Sequence, residues 1–316
     1  MWQRTYKLFG YLIVSSLIIF ILVEQTAGNP AILYLQRHGY TQMTQQQIDM
    51  AQHHLGLGRH ILLRYLDWLG HALIGDLGYS FSTQEPVMNL IANALKPTWI
   101  LMSWATVLML PLGVGLGYCV GMLPHARIAQ SLRYISQVIT SMPEYWIAIV
   151  AIYYMGVKWQ LLPFVGSASW QNYLLPVGIM IIVEGSHLLL MTAHLIAQTR
   201  QDDTYQLIKL RQATWKARIY CQFKVIFAPL MTIVVNSIIH LFSRAVILEV
   251  IFSMSGLGKL LITAINQRDY PLIQGIIMLI IVVIMLLNYL GDILILKSDP
   301  RIQRLRANKS KVRGAR

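Results

Sequence analysis

The most informative stretch of the sequence is Thr199–Pro229, TRQDDTYQLIKLRQATWKARIYCQFKVIFAP. It is a long polar interruption between two segments that are almost wholly apolar, and six of its residues are basic. Its only acids, Asp202 and Asp203, stand near its start, and acids early with bases later suit the dipole of a helix. We therefore expect one or two short helices outside a membrane. They form either a basic loop that only sets topology or a docking surface for a cytosolic partner.

Composition identifies a membrane protein. Of the 316 residues, 56% are hydrophobic and 12% are charged, and the mean hydropathy is +0.53. These values lie well outside the range of soluble domains. The net charge of +13 is typical of nucleic-acid-binding proteins only if the basic residues share one surface, so their distribution along the chain decides the matter.

The basic residues alternate between rich and poor segments. Eighteen of the 26 fall in four segments: the N-terminal tip, 127–133, 199–229 and the tail 297–316. Seven are spread over three intervening segments that together contain more residues: 25–97, 157–173 and 253–272. The positive-inside rule then places the N-terminus, the 199–229 loop and the C-terminus in the cytosol. This pattern argues against nucleic acid as a partner and makes membrane lipid the surroundings of the apolar segments.

The apolar segments predict an all-α membrane protein with six transmembrane helices and an external segment between the first two. The spans are expected at about 8–23, 99–122, 134–156, 174–195, 226–252 and 273–296. The first is either a cleaved signal peptide or an uncleaved span, and an uncleaved span lets the others alternate correctly. This divides the chain into four parts: tip and first helix 1–24, external segment 25–97, transmembrane domain 98–296 and basic tail 297–316.

The external segment carries two helix signals. Thr44 and Gln47 have the spacing of a capping box that opens a helix ending near Leu55. Apolar residues then recur at helical spacing over 61–73, which predicts an amphipathic helix lying at the outer membrane boundary or packed on the bundle.

Several ionisable or polar residues lie in or at the edges of the spans: Glu144, Glu184, His187, Asn236, His240, Arg244 and Glu249. Such residues are costly in a bilayer and tend to face the bundle interior. Glu184, His187, Asn236, Arg244 and Glu249 are therefore our candidates for lining a translocation pathway. The alternative, that they satisfy one another between helices, stays open.

No chemistry beyond this is predicted. The Glu184-x-x-His187 spacing occurs once, without the second copy used in di-iron bundles, so we expect no metal site. The two cysteines support no disulfide. The absence of a Walker-type motif means that any uphill transport takes its energy from another chain.

The last third of the chain resembles a known family. EVIFSMSGLG over 249–258 and NQRDYP over 266–271 resemble the signature E-x-x-F-x-x-P-G-L-G … R-D-Y-P of binding-protein-dependent ABC importer permeases. The matching positions include Gly256, Gly258, Asp269 and Tyr270. GDLGYS over 75–80 and SMPEYW over 141–146 match in order, so the resemblance covers nearly the whole chain. The branch it resembles is the dipeptide, oligopeptide and nickel one, specifically the first of its two permease subunits.

The resemblance implies a type I ABC importer permease in the bacterial inner membrane. Its partners would be a second permease subunit, two cytosolic ATPases that bind the ATP, and a periplasmic substrate-binding protein. The chain itself would be no enzyme and would need no cofactor. The implied substrates are peptides, including the cationic antimicrobial peptides taken up by Sap-type members. Nickel is the alternative substrate, and a membrane scaffold without a transport cycle is the alternative function.

The resemblance also makes the 199–229 loop the region that couples the permease to the ATPases. The residues implied for coupling are Tyr205, Lys209, Arg211, Lys216, Arg218 and Pro229. The family's "EAA" pattern is altered here, since Arg211, or Gln212 with a one-residue slip, stands at the expected Gly place, while Pro229 matches the family's Pro. Ser255 likewise replaces the usual Pro before Gly256.

Overall fold

The structure, a computed structural model, describes residues 2–24, 30–37, 40, 42–54, 56, 58, 60–201, 206 and 214–298. Within these residues it is helical, and the only β pairing is an isolated bridge between Tyr79 and Pro86. The helices are α1 Trp2–Glu24, α2 Pro30–Arg37, α3 Gln45–His54, α4 Ile61–Leu73, α5 Val87–Met122, α6 Arg127–Ser141, α7 Glu144–Ala151, α8 Leu174–Gln201, α9 Trp215–Ile251, α10 Leu257–Gln267 and α11 Tyr270–Ser298. A π-helix over Ile152–Lys158 follows α7, and a 3₁₀ turn over Trp170–Tyr173 precedes α8.

Four stretches in the described part of the chain are long and apolar enough to cross a membrane: Val87–Met122, Trp170–Gln201, Trp215–Ile251 and Tyr270–Leu294. The pair Arg127–Ser141 and Glu144–Lys158 makes a fifth if it is counted as one span. The first predicted span lies within α1, whose apolar part Gly10–Leu22 is shorter. The prediction of a helical membrane protein is thus supported by four to five spans, and the count of six remains a prediction.

The span predicted over 134–156 is divided between two helices, which corrects the expectation of one helix there. Helix α6 ends at Ser141, α7 begins at Glu144, and the two axes differ by 99°. The cause is Pro143, which has no N–H to donate and drives Met142 out of the helical region, to φ −89° and ψ 139°. The break places Glu144 in the first turn of a new helix.

The 199–229 stretch is described mainly at its two ends. Helix α8 continues to Gln201 and α9 begins at Trp215, so both ends belong to long helices, and the short helices expected between them stay a prediction. Helix α9 has 37 residues and is therefore roughly 55 Å long, against a hydrocarbon core of about 30 Å. A large part of it must extend beyond the membrane. Asp202 and Asp203 lie outside the described residues.

The chain divides into two compact units. The first contains Met1–Thr98 with Ser253–Met285, and its core joins the start of α5 to α10 and the start of α11. Both helix signals of the external segment are confirmed in it. Thr44 and Gln47 exchange the two hydrogen bonds of a capping box at the start of α3, and α4 covers 61–73. One face of α4 packs on α1, where the hydroxyls of Tyr65 and Ser16 lie 2.8 Å apart.

The second unit contains Trp99–Phe252 with Leu286–Arg316. Here α5 and α8 approach closely at glycines. A Cβ added to Gly117 would lie 2.7 Å from the carbonyl oxygen of Leu189, and one added to Gly121 would lie 2.6 Å from Cβ of Ile196. Small residues at this four-residue spacing allow two membrane helices to bring their backbones together. This fixes α8, and with it Glu184 and His187, against α5.

Candidate functional site

The second unit contains a buried charge cluster built from three helices. Arg244 on α9 donates from Nε to Oε2 of Glu184 on α8, at 2.9 Å, and from Nη1 to Oε2 of Glu144 on α7, at 2.7 Å. The Glu184 side chain is fully buried, and that of Glu144 is 9% exposed. One guanidinium therefore joins two carboxylates that come from distant parts of the sequence.

The cluster has more acceptor capacity than it uses. Each carboxylate accepts from Arg244 with one oxygen, Oε2. The other oxygen of each, Oε1, is buried with no hydrogen-bond partner in the described part of the chain. Two carboxylates against one guanidinium leave a formal charge of −1. Such a charge in a low-dielectric setting attracts a cation strongly.

Two histidines adjoin the carboxylate of Glu184. His240 on α9 places Nδ1 3.7 Å from Glu184 Oε1, and the rings of His187 and His240 are 6.2 Å apart between centroids. One potential ligand atom from each of Glu184, His187 and His240 lies within 4.8 Å of the other two. His187 is half-buried, while the His240 side chain is 55% exposed.

Helical spacing explains why these side chains meet. Glu184 and His187 are three residues apart on α8, and His240 and Arg244 are four apart on α9, so each pair shares one face of its helix. We predicted no metal site because the Glu184-x-x-His187 spacing occurs once, without a second copy. Helix α9 supplies a third potential ligand, His240.

The other two candidates on α9 lie apart from this cluster. Asn236 is exposed, one turn before His240. Glu249 is fully buried, but five residues separate it from Arg244, which turns it about 140° round the helix. Of the five candidates, the structure thus brings Glu184, His187 and Arg244 together.

Glu144 and His240 were not among those five candidates. Both carry the signal that could have selected them, an ionisable side chain at an apolar span. Glu144 lies inside the predicted span 134–156, directly after Pro143. The break at Pro143 is what turns it toward Arg244.

The family-signature residues have structural roles in the first unit. The Asp269 carboxylate is fully buried and accepts hydrogen bonds from the Ser80 hydroxyl and from the backbone N–H groups of Phe81 and Ser82, the latter two at 3.0 and 3.1 Å. Tyr270 is buried beside it, with its ring 6.5 Å from that of Phe81. The signature therefore ties the turn after Gly78 to the start of α11.

The two signature glycines frame the start of α10. Gly256 is its N-cap, with φ −93° and ψ −179°, and Gly258 is buried in its first turn. The N–H of Leu257 donates to the Thr98 hydroxyl at 2.8 Å, which anchors this helix start on α5.

The structure describes only some of the residues that the resemblance implies for coupling. Tyr205, Lys209 and Arg211 lie outside the described residues, and so does the side chain of Arg218. Lys216 is exposed in the first turn of α9, with Nζ 5.6 Å from the ring centroid of Trp215. Pro229 lies inside α9.

One basic residue of the same stretch has a structural partner. Arg200 at the end of α8 donates from Nη1 to the carbonyl oxygens of Met122, at 2.6 Å, and Gly121, at 3.4 Å. These carbonyls end α5, and a cation there satisfies them and suits the helix dipole. Arg200 therefore fixes α8 to the end of α5.

Comparison with known proteins gives one family. The model of the family described as "Binding-protein-dependent transport system inner membrane component" matches residues 110–304. The metal-staphylopine import system permease protein CntB of Staphylococcus aureus strain NCTC 8325 is 28% identical over 305 residues, covering 95% of this chain and 97% of that protein. The nickel import system permease protein NikB of S. aureus strain USA300 is 28% identical over 317 residues, covering 99% and 94%.

Proposed function

The chain belongs to the family of binding-protein-dependent transport system inner membrane components, and from that premise we propose that it passes a cationic substrate through the inner membrane. As a member of this family it is a permease subunit of an ABC importer, and ATPase and substrate-binding partners are implied.

The observation that carries the proposal is the excess of carboxylate in the cluster. Arg244 neutralises one of Glu144 and Glu184, and one negative charge remains beside helices that are long enough to span a membrane. Intramembrane carboxylates of this kind commonly mark ion or substrate pathways. They favour a cation over an anion or a neutral solute.

Nickel, or another transition metal carried as an ion or a complex, is the first substrate candidate. His187 and His240 lie beside Glu184, and imidazole is a ligand for such metals but not a requirement for a generic cation. The names of CntB and NikB, a metal-staphylopine and a nickel permease protein, agree with this choice.

Cationic peptides are the second candidate. A carboxylate excess attracts lysine and arginine side chains as well as metal ions, and the signature over 249–271 resembles a branch that includes peptide permeases. Peptide substrates would leave the two histidines without a specific task.

The proposed mechanism is alternating access. ATP-driven closure of the ATPase pair would push on the 199–229 region, and α8 and α9, which extend into that region from the charge cluster, would transmit the movement. The cluster would then be open to one side of the membrane at a time. A second permease subunit would complete the pathway.

The test is uptake by proteoliposomes that contain the complete importer. ATP and the ATPases are enclosed in the lumen, and the binding protein is added outside with either ⁶³Ni²⁺ or a labelled cationic peptide. We expect ATP-dependent accumulation of nickel. Accumulation of the peptide alone would select the second candidate, and a chain that assembles with no ATPase would be a scaffold instead of a transporter.

A further inference from the structure

We propose that Glu184, His187 and His240 form a binding site for a divalent transition-metal ion between α8 and α9. The site deepens the proposed function, because it would hold the substrate ion during its passage. Binding itself does not depend on transport, so the two ideas can fail separately.

The distances suit such a site after a small adjustment. Two ligands that each lie about 2 Å from an ion are at most about 4 Å apart. The three potential ligand atoms already lie within 4.8 Å of one another, so roughly 1 Å of side-chain movement at most is required. The exposed His240 has the freedom to make it, since its side chain is 55% exposed.

The Glu184 carboxylate is oriented for this task. Oε2 accepts from Arg244 Nε at 2.9 Å, which fixes the plane of the carboxylate. Oε1 is buried, has no hydrogen-bond partner among the described residues, and faces Nδ1 of His240. A metal ligand held by an outer partner through its other polar atom is the usual arrangement in metal sites. Here Arg244 is that outer partner.

Charge and ligand type limit which ion fits. Arg244 would repel a cation from Glu184 alone, but its Nη1 is also bound to Glu144 at 2.7 Å, so the cluster has a formal charge of −1 when both carboxylates are ionised. Two imidazoles and one carboxylate suit Ni²⁺, Co²⁺ or Zn²⁺, whereas Mg²⁺ and Ca²⁺ prefer oxygen ligands only. Three protein ligands leave coordination positions open, as a site that must release its ion requires.

The experiment measures Ni²⁺ binding to the complete importer in detergent, purified with a tag that contains no histidine. Isothermal titration gives the Kd for Ni²⁺ alone, and X-ray absorption reports the imidazole ligands. We expect His187→Ala and His240→Ala each to weaken binding about tenfold or more and to remove one imidazole from the spectrum.

The matched control is His194→Ala. His194 lies on α8 two turns after His187, is exposed, and contacts Gln198 at 2.9 Å instead of the cluster. Its replacement should leave the Kd unchanged. Size-exclusion elution of each variant checks that the complex is intact, and exposed His240 is the substitution least able to disturb folding.

The possible results test the metal site and the nickel-import function separately. Histidine-dependent binding without nickel uptake would keep the site and remove nickel as the substrate. Nickel uptake by a complex whose affinity does not change in the His187→Ala/His240→Ala double variant would keep the function and overturn the site. A wild-type complex that binds no Ni²⁺ would also overturn it.

Discussion

Arg244 is the residue on which three helices converge. Its partners Glu144 and Glu184 are both largely or wholly buried, and each commits one oxygen to the guanidinium. Replacing a whole buried ion network with apolar side chains can be nearly neutral, whereas removing one partner leaves the others buried and uncompensated. The cluster is therefore sensitive to partial changes.

We expect Arg244→Met to lower the free energy of unfolding by about 3 to 5 kcal/mol, because two carboxylates would remain buried without a counter-charge. Titration with a denaturing detergent in mixed micelles measures it. Adding Glu184→Gln and Glu144→Gln to the same chain should recover part of the loss. A control, Arg133→Met, removes one bond to the Val120 carbonyl and should cost about 1 kcal/mol. If Arg244→Met and Arg133→Met lower the free energy of unfolding equally, the ion network stabilises the protein no more than one ordinary hydrogen bond does.

At the scale of elements, the contact between α5 and α8 sets the position of the charge cluster. Gly117 and Gly121 face the backbone of α8 at Leu189 and Ala193, and no side chain fits between the helices there. Gly115, on another side of α5, has no atom within 4 Å of an added Cβ. The same helix thus offers a crowded glycine and a free one two residues apart.

Gly117→Ala should therefore destabilise the protein and Gly115→Ala should not. The Gly117 methyl group would lie 2.7 Å from both the Leu189 carbonyl oxygen and Thr192 Cβ, so α8 must move away. Overpacking of this kind typically costs about 1 to 3 kcal/mol. At Gly115 the gain in helix propensity, up to about 1 kcal/mol, is unopposed. Thermal unfolding of the two variants in the same detergent compares them directly, and equal midpoints would argue against the close contact.

The sequence predicted elements well where the signal is local. The capping box of α3 and the periodicity over 61–73 involve neighbours on one helix, and both are present in the structure. The break at Pro143 also follows from a local signal, the proline itself, which the prediction of a span over 134–156 did not take into account. What could not be predicted is pairing between helices. The sequence spacing of Glu144, Glu184 and Arg244 does not predict that both carboxylates lie within 3 Å of the Arg244 guanidinium.

At the scale of the whole molecule, the positive-inside rule predicts that the basic 199–229 region lies on the cytosolic side of the membrane. Helix α9 is too long for the membrane alone, and its first turn carries Lys216 and Arg218. The Lys216 side chain is exposed beside an exposed Trp215. An exposed Trp is enriched at protein-binding surfaces, while basic charges in this segment favour a cytosolic location.

Reversing the charges of Lys216 and Arg218 distinguishes a role in binding the ATPase from a role in setting the membrane topology. We expect Lys216→Glu with Arg218→Glu to reduce the amount of ATPase subunit that copurifies with the importer, because both cations would be replaced by anions on the docking surface. Membrane insertion should be unchanged, since the remaining basic residues of 199–229 and the tail still set the topology. Quantitative pull-down at two salt concentrations measures the association, and protease protection measures the topology.

The matched control is Lys158→Glu. Lys158 is exposed, with Nζ 5.4 Å from the Tyr154 ring centroid, and the charge rule places it on the opposite side of the membrane. Its reversal should leave the association with the ATPase intact. Unchanged association in the double variant would mean that these two charges serve topology alone.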